Sequence, residues 1–316
     1  MIRPLPRQRG VALITAIFVV ALATIVATAL VSATGMALQR MQNLRDSEAA
    51  WWYAFGLEDW VAGLLQRRPG QPAVDYLGEQ WAQPVTNLPY DRGTVSGHLI
   101  DLQGRFNLNN LAATGNDLEY YERQFRLLLA SIPDFPQGGD TLNLGQRIHV
   151  WLTPAAPGIP PPDAAQYLSL TPPYMPAGQE FLSPSGLLAV AGVTPQIYDA
   201  LAPYIAALPE VGTKINVNTA PLPVLLSLAM DVNANRLSSF AATRTKEPAP
   251  TVQALYGTQL NLLPADVPQT RVDVQTSYFQ LQGYIAVGSA KLNLYSSIRR
   301  QAGGAPVVYA RSTGAE

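Results

Sequence analysis

Residues Arg9 to Ala33 read RGVALITAIFVVALATIVATALVSA, and no charged residue occurs from Val11 to Gln39. The stretch from Val11 to Ala33 makes about 35 Å of helix, which matches a hydrocarbon core of about 30 Å with some tilt. On its N-terminal side Met1 to Gly10 (MIRPLPRQRG) carries Arg3, Arg7 and Arg9 and no acid, whereas Arg40, Arg45, Asp46 and Glu48 on the other side mix signs. The basic flank places the N-terminus in the cytoplasm and the bulk of the chain outside. A cleaved secretory signal has a shorter apolar region. A run this apolar on every face, with a basic flank, is rarely found in a soluble domain. The segment therefore reads as a membrane span.

Outward from the span the helical pattern continues. No proline follows until Pro69, and Met41, Leu44, Trp51, Phe55, Ala62 and Leu65 recur at helical spacings up to the stop at Arg67-Arg68-Pro69-Gly70. One helix of about 55 residues, roughly 80 Å long, results. Its second half is expected to pack on a sheet through this stripe. Trp51, Trp52 and Tyr53 lie roughly 60 Å from Val11, too far for a membrane-interface belt, and are expected in that core.

The remaining composition excludes whole classes of chemistry. The 316 residues are 48% hydrophobic and 14% charged, with 21 Lys+Arg against 22 Asp+Glu, so no field attracts a nucleic acid. There is no cysteine, and His98 and His149 are the only imidazoles. Disulfides, thiolate zinc sites and His-rich metal sites are thereby excluded. Neither a nucleophile elbow nor a phosphate-binding loop motif occurs.

Further along, Thr94 to Leu102 reads as a strand, and Tyr278 to Val287, Leu292 to Arg299 and Pro306 to Arg311 read as an antiparallel meander. The stretch between them is far too long for a loop. It has helical spacing from Asp117 to Ser131, a cap-proline start at Thr194-Pro195, and another start before Leu222 to Ala229. Eight prolines between Pro154 and Pro176 make a rigid non-helical connector between two helical halves. FNLNNLA from Phe106 is echoed by INVNTAP from Ile215. The paired amides Asn107 with Asn109 and Asn216 with Asn218 read as caps at helix starts. Gly192 to Pro195 (GVTP) resembles a helix-hairpin-helix unit, but its surroundings are apolar with Asp199 and Glu210, so it reads as a packing unit rather than a phosphate grip.

Arg9-Gly10 followed at once by an apolar helix that continues as an amphipathic one resembles the leader of type IV pilins and type II secretion pseudopilins. The fifth residue after Gly10 is Thr15, where that class usually has Glu. Together with RGVALITAIFVVALAT, WWYAFGLEDW, LIDLQGRFNLNNL and KINVNTAP, this departure resembles the K-type minor pseudopilins, over the whole chain. The resemblance implies an α+β, pilin-like fold with a large inserted all-α domain. Residues 1–10 form the leader and 11–33 the membrane part of the long helix. Residues 34–110 begin the pilin-like domain, 111–265 form the insert with the 154–176 connector, and 266–316 supply the C-terminal meander.

The resemblance also implies cleavage by prepilin peptidase between Gly10 and Val11, methylation of the Val11 amine, and an assembly role for Thr15. The function implied is initiation of a periplasmic pseudopilus at its tip, without catalysis and without nucleic acid. The implied partners are I-type and J-type subunits, H-type and major G-type subunits, and the inner-membrane assembly platform. Calcium is the one cofactor it implies, and Asp266 and Asp273 are candidates by position, with no ligand set assigned. A membrane-anchored periplasmic enzyme and a type IV pilus minor subunit are the alternative readings.

Overall fold

The computed structural model describes residues 9–66, 73–136, 143–161, 163–257, 259–301 and 303–314. Residues 1–8, most of the expected leader, lie outside the described residues. Helix α1 (Arg9–Leu65) is continuous over 57 residues. Thr15, Thr24, Thr28 and Thr34 turn their hydroxyls back onto carbonyls three or four residues earlier. Each of these four hydroxyls is thus satisfied inside the helix.

The described residues hold strands β1 (Val85–Tyr90), β2 (Gly93–Asp101), β3 (Phe106–Asn107), β4 (Ile205–Ala206), β5 (Ile215–Asn216), β6 (Val272–Asp273), β7 (Tyr278–Val287), β8 (Ala290–Arg299) and β9 (Val307–Thr313). The helices after α1 are α2 (Gly115–Ser131), α3 (Leu144–Leu152), α4 (Ala164–Leu168), α5 (Pro195–Leu201), α6 (Leu222–Leu226) and α7 (Ala234–Thr243). Five strands form one antiparallel sheet in the order β1-β2-β7-β8-β9. Strand β1 is not legible in the sequence, because VTNLPY has five exposed residues of six, a proline and a register break at Asn87, where φ is 49°. Such irregularity is tolerated only at a sheet edge.

Helix α1 packs on this sheet through Ala50, Ala54, Leu57, Val61 and Leu65, against Val95, Leu99, Phe279, Leu281, Ile285, Leu294 and Ile298. The expected stripe is therefore corrected. Met41, Leu44, Trp51 and Phe55 are exposed, and only Leu65 of the large residues in that stripe is buried. The reason is steric. Alanines let the helix approach the strands so closely that a Cβ on Gly283 would lie 3.0 Å from Leu57 Cδ2. An indole has no room there.

A second core runs from Phe106 and Leu108 to Val272 and Val274, beyond both ends of 111–265. It is mostly helix and loop, with two parallel two-residue pairings, β3 with β4 and β5 with β6. The proline-rich connector is not free of helix, because its proline-free AAQYL forms α4, whose Tyr167 packs on Trp151 and Tyr174. Thr194 caps α5 by accepting from the Ile197 amide at 3.3 Å.

The paired asparagines do not cap α2 or α6. Asn107 Oδ1 and Asn216 Oδ1 accept from the amides of Asn109 and Asn218, both at 3.1 Å, and so turn the chain, Asn107 at the start of a short 3₁₀ segment. Asn109 then holds both the N–H and the C=O of Phe181 (2.8 and 2.9 Å), and Asn218 holds those of Ala249 (2.8 and 3.1 Å). All four amides are buried.

The two bodies meet at Asp101, at the end of β2. Its Oδ1 accepts from the amides of Gln103 (2.7 Å) and Gly104 (3.2 Å), and its Oδ2 from Asn216 Nδ2 (2.8 Å) and Thr219 Oγ1 (2.6 Å). Beside it the buried Asp75 carboxylate receives two bonds from Arg300, at 2.8 and 2.9 Å. Arg300 also donates to the Thr276 carbonyl and, through Nε at 3.0 Å, to the Leu65 carbonyl at the end of α1. Burial raises the Asp101 pKa above its ordinary value of 3.8, with the Thr219 and Asn216 donors pulling it down.

Two outcomes follow for stability. The folded chain holds the Asp101 proton to higher pH than the unfolded chain, so this group's contribution is greatest below pH 3.8 and declines as pH rises through its raised folded value. Urea unfolding of wild type and Asp101→Asn should show wild type losing ground relative to the variant as pH rises from below 3.8. A difference that grows with pH would contradict the assignment. Second, Asp101 and Phe279 are register partners on neighbouring strands, so the second body leaves and re-enters the sheet side by side. Replacing residues 104–275 by a short Gly/Ser linker should leave a core of α1 and the sheet that unfolds cooperatively, and a non-cooperative remainder would show that the bodies are one folding unit.

Candidate assembly surface

The sequence points to the beginning of α1, and the structure shows what that end offers. Gly10 and Val11 lie within the first turns of the helix, and Val11 is 66% exposed. Thr15 Oγ1 donates to the carbonyls of Val11 (3.1 Å) and Ala12 (3.0 Å). Its polarity is thereby spent within its own helix, and it presents no charge to a neighbour. From Val11 to Leu44 the large apolar side chains are exposed, and among the described residues this is the one helix long and apolar enough to cross a membrane.

The second half of α1 is fastened to the sheet at three levels. At the first, Ser289 in the β7–β8 turn donates its N–H to Asp46 Oδ2 (3.1 Å) and its hydroxyl to Asn43 Oδ1 (2.8 Å). The turn depends on Gly288, whose φ is 53° and where a Cβ would stand 2.2 Å from Asp46 Oδ2. At the second, the buried Glu58 carboxylate receives Arg311 of β9 in a bidentate pair, with Nε–Oε1 at 2.7 Å and Nη2–Oε2 at 2.8 Å, and Ser296 Oγ at 2.5 Å. The Glu58 bond raises the Arg311 pKa further. Arg300 on Leu65 is the third.

These clamps set an aromatic face outward. Trp52 is 71% exposed, and it forms with Tyr53, Gly56, Trp60, Leu88 and Tyr90 the wall of an apolar cavity of about 360 Å³ between α1 and edge strand β1. Tyr53 and Tyr90 meet edge to face at 4.8 Å, and the Tyr53 hydroxyl donates to Asp91 at 3.1 Å. The expectation that Trp51 and Trp52 belong to the core is thus corrected. The spacing of Ala50, Ala54, Leu57, Val61 and Leu65 carried the signal, since it is the small-residue stripe, not the aromatic one, that fits a close helix–sheet contact. Nothing local in VTNLPY could have announced Leu88 and Tyr90.

The carboxylates proposed by position for calcium are not gathered. Asp266 is exposed, and Asp273 accepts from Lys214 Nζ (3.3 Å) and from the Val274 amide (2.8 Å). Among the described residues no group of three or more His, Asp or Glu lies close enough to hold a metal. Asp266 and Asp273 alone do not supply the six or more oxygens of a calcium site.

Comparison with known proteins agrees along the chain. Residues 104–210 match the family model described as type II secretion system (T2SS), protein K. Type II secretion system protein K of Aeromonas hydrophila is 31% identical over 307 residues, covering 92% of each chain. The Pseudomonas aeruginosa protein of the same name is 31% identical over 319 residues, covering 97% of this chain and 93% of its own. Among solved structures, the GspK–GspI–GspJ complex from the enterotoxigenic Escherichia coli type 2 secretion system contains a chain with a TM-score of 0.69, 24% identity and coverage of 88% of this chain and all of its own.

The Glu58–Arg311 pair gives a test of how the aromatic face is held. Arg311→Ala leaves a buried carboxylate with only Ser296 and should lower stability by about 2–3 kcal/mol, reduced from a fully buried pair because Arg311 is half exposed. Adding Glu58→Gln should restore part of that loss. Equal stability of wild type and Arg311→Ala in urea titrations would show that the clamp is dispensable.

Proposed function

The chain belongs to the type II secretion system protein K family, and from that membership we propose that it is a minor pseudopilin at the tip of the periplasmic pseudopilus. There it helps begin pseudopilus assembly and hence the export of folded proteins across the outer membrane. Its N-terminus lies in the cytoplasm, α1 crosses the inner membrane once, and the sheet and second body stand in the periplasm. I-type and J-type pseudopilins share the tip, in keeping with the solved complex that carries GspK, GspI and GspJ together. H-type and major G-type subunits follow below, drawn from the inner-membrane assembly platform. Their helices lie along the exposed apolar length of α1 and its aromatic continuation. The role is structural.

The observation that supports this reading is the state of Thr15. A carboxylate at that position, as in most of the class, seeks the N-terminal amine of the subunit added before it, because an unpaired charge within the bilayer costs roughly 2.5–3.5 kcal/mol or more. Thr15 is satisfied by Val11 and Ala12 of its own helix and needs no predecessor. The free amine of Val11, once exposed, still attracts the carboxylate of the next subunit. A chain so built begins a fibre and is unsuited to lengthening one. The bulk of the second body agrees, since at the tip nothing lies above it.

Processing tests the reading directly. Prepilin peptidase should cut between Gly10 and Val11, and the membrane-bound protein should have the mass of residues 11–316 plus one methyl group. A chain that begins at Met1, or one trimmed near Ala33, refutes it. Thr15→Ala should leave secretion within about twofold of wild type, whereas Gly10→Val should abolish processing and secretion. Labels on sheared pseudopili should lie at one end, and labels distributed along the fibre overturn the tip placement.

A further inference from the structure

Side chains alternate across a sheet, so the strands that bury one set against α1 present another on the opposite face. On that face Tyr284 stands opposite Ser96 on one side and Asn293 on the other. One pair along, Gln282 stands between His98 and Tyr295. Tyr284 is 39% exposed, His98 and Asn293 are exposed, and Gln282 and Tyr295 are half-buried. Lys291 extends the same face opposite Ala286. At the end nearest the second body, Arg299 of the same face is paired with Glu210.

Towards the second body the face does not end but descends into a cleft of about 280 Å³. Gln280, Tyr295 and Ser297 form its floor, and Leu182 with Ala206 and Ala207 its wall. Gln280 is buried and accepts from Gln282 Nε2 at 2.9 Å, which orients the amide pair along the floor. Leu182 stands 93% exposed on the rim, an isolated leucine with nothing over it. An amide offers a donor and an acceptor side by side, as vicinal hydroxyls and acetamido groups require, and a tyrosine ring offers a negative face to the axial C–H bonds of a pyranose. A platform of two tyrosines and two neutral amides with one lysine, and an acid only where Arg299 neutralises it, is complementary to a sugar polymer that is neutral or weakly anionic.

We propose that this face and its cleft bind the glycan strand of the cell wall, an alternating polymer of N-acetylated hexopyranoses bearing carboxylates at intervals. Tyr284 and Tyr295 stack on successive rings, Gln282 and Asn293 bond the hydroxyl and acetamido groups, and the cleft beside Leu182 takes one ring edge-on. Lys291 faces the carboxylates. The contact lies on the opposite side of the sheet from α1, so it leaves the assembly surface free. It rests on the periplasmic placement proposed above.

The mature full chain, purified in detergent, is mixed with purified Gram-negative sacculi and sedimented. Wild type should pellet with the sacculi, and muramidase digestion of the glycan should release it. Tyr284→Ala with Tyr295→Ala should lower apparent affinity about tenfold or more, about 1.4 kcal/mol, and Tyr284→Ala alone severalfold, at unchanged circular dichroism and melting temperature. Trp52→Ala, on the far side of the sheet, should bind as wild type. Wild type left in the supernatant overturns the proposal, as does Tyr284→Ala binding with full affinity, an equal loss in Trp52→Ala, or pelleting that survives muramidase. If protease protection and Gly10 cleavage place the body in the periplasm and sacculi still fail to bind, the glycan site alone is lost. A body found on the cytoplasmic side removes the placement itself.

Discussion

A buried carboxylate must find donors for each of its lone pairs or remain protonated, and Asp101 obtains them from both bodies at once. Gln103 and Gly104 approach from the end of the sheet, and Asn216 and Thr219 from the second body. The same Asn216 amide also reaches the Asp75 carbonyl at 3.0 Å. Through Asp75 the set extends to Arg300, and through Arg300 to the last carbonyl of α1. On the other side of the Asn216–Thr219 turn, the buried Arg244 donates to the Val217 carbonyl at 2.7 Å, and burial lowers its pKa to about 10. The end of the long helix, the end of β2 and the entry of the second body are therefore fixed by one connected set of polar groups. In a low-dielectric interior such a set is strong only when complete.

The second body solves a related problem by repetition. Its helices α4, α5 and α6 have five, seven and five residues, far below the length at which a helix holds itself together. Its order comes from the apolar core and from two asparagine clamps of the same design. In each, one amide turns the chain beside a two-residue parallel pairing, and the second grips both polar groups of a distant residue. Segments 72 residues apart in the first half and 31 apart in the second are joined in this way. The echo of FNLNNLA in INVNTAP is thus a repeat of hydrogen-bonding geometry.

Elements whose signal is periodic were legible in the sequence, and those whose signal lies in a partner were not. Helix α1 follows from an uninterrupted run without proline, and β7 from YFQLQGYIAV, whose alternation matches its burial from Leu281 onward. Strand β1 has no such pattern, because an edge strand exposed on nearly all positions obeys its neighbour rather than its own residues. The aromatic face leaves no sign in the sequence that it is exposed, because size does not imply depth and a sheet approached by alanines excludes an indole. The asparagines were recognised as conformational devices, but their distant partners Phe181 and Ala249 leave no local trace. The placing of Gly10, Val11 and Thr15 in the first turns of α1 follows from the apolar run, while Glu58 with Arg311 needs the fold to bring residues 253 apart together.

The three fastenings of α1 lie between Asn43 and Leu65, all in its second half. From Val11 to the first of them about 50 Å of helix projects with no support from the rest of the chain. The molecule is accordingly a lever with its fulcrum at one end. A rotation of the body that carries the sheet by about ten degrees would sweep the apolar end through about 8 Å, nearly the diameter of a helix. Force exerted on the body is delivered as torque to the apolar end, and a displacement of that end is returned, reduced in the same ratio, to the sheet.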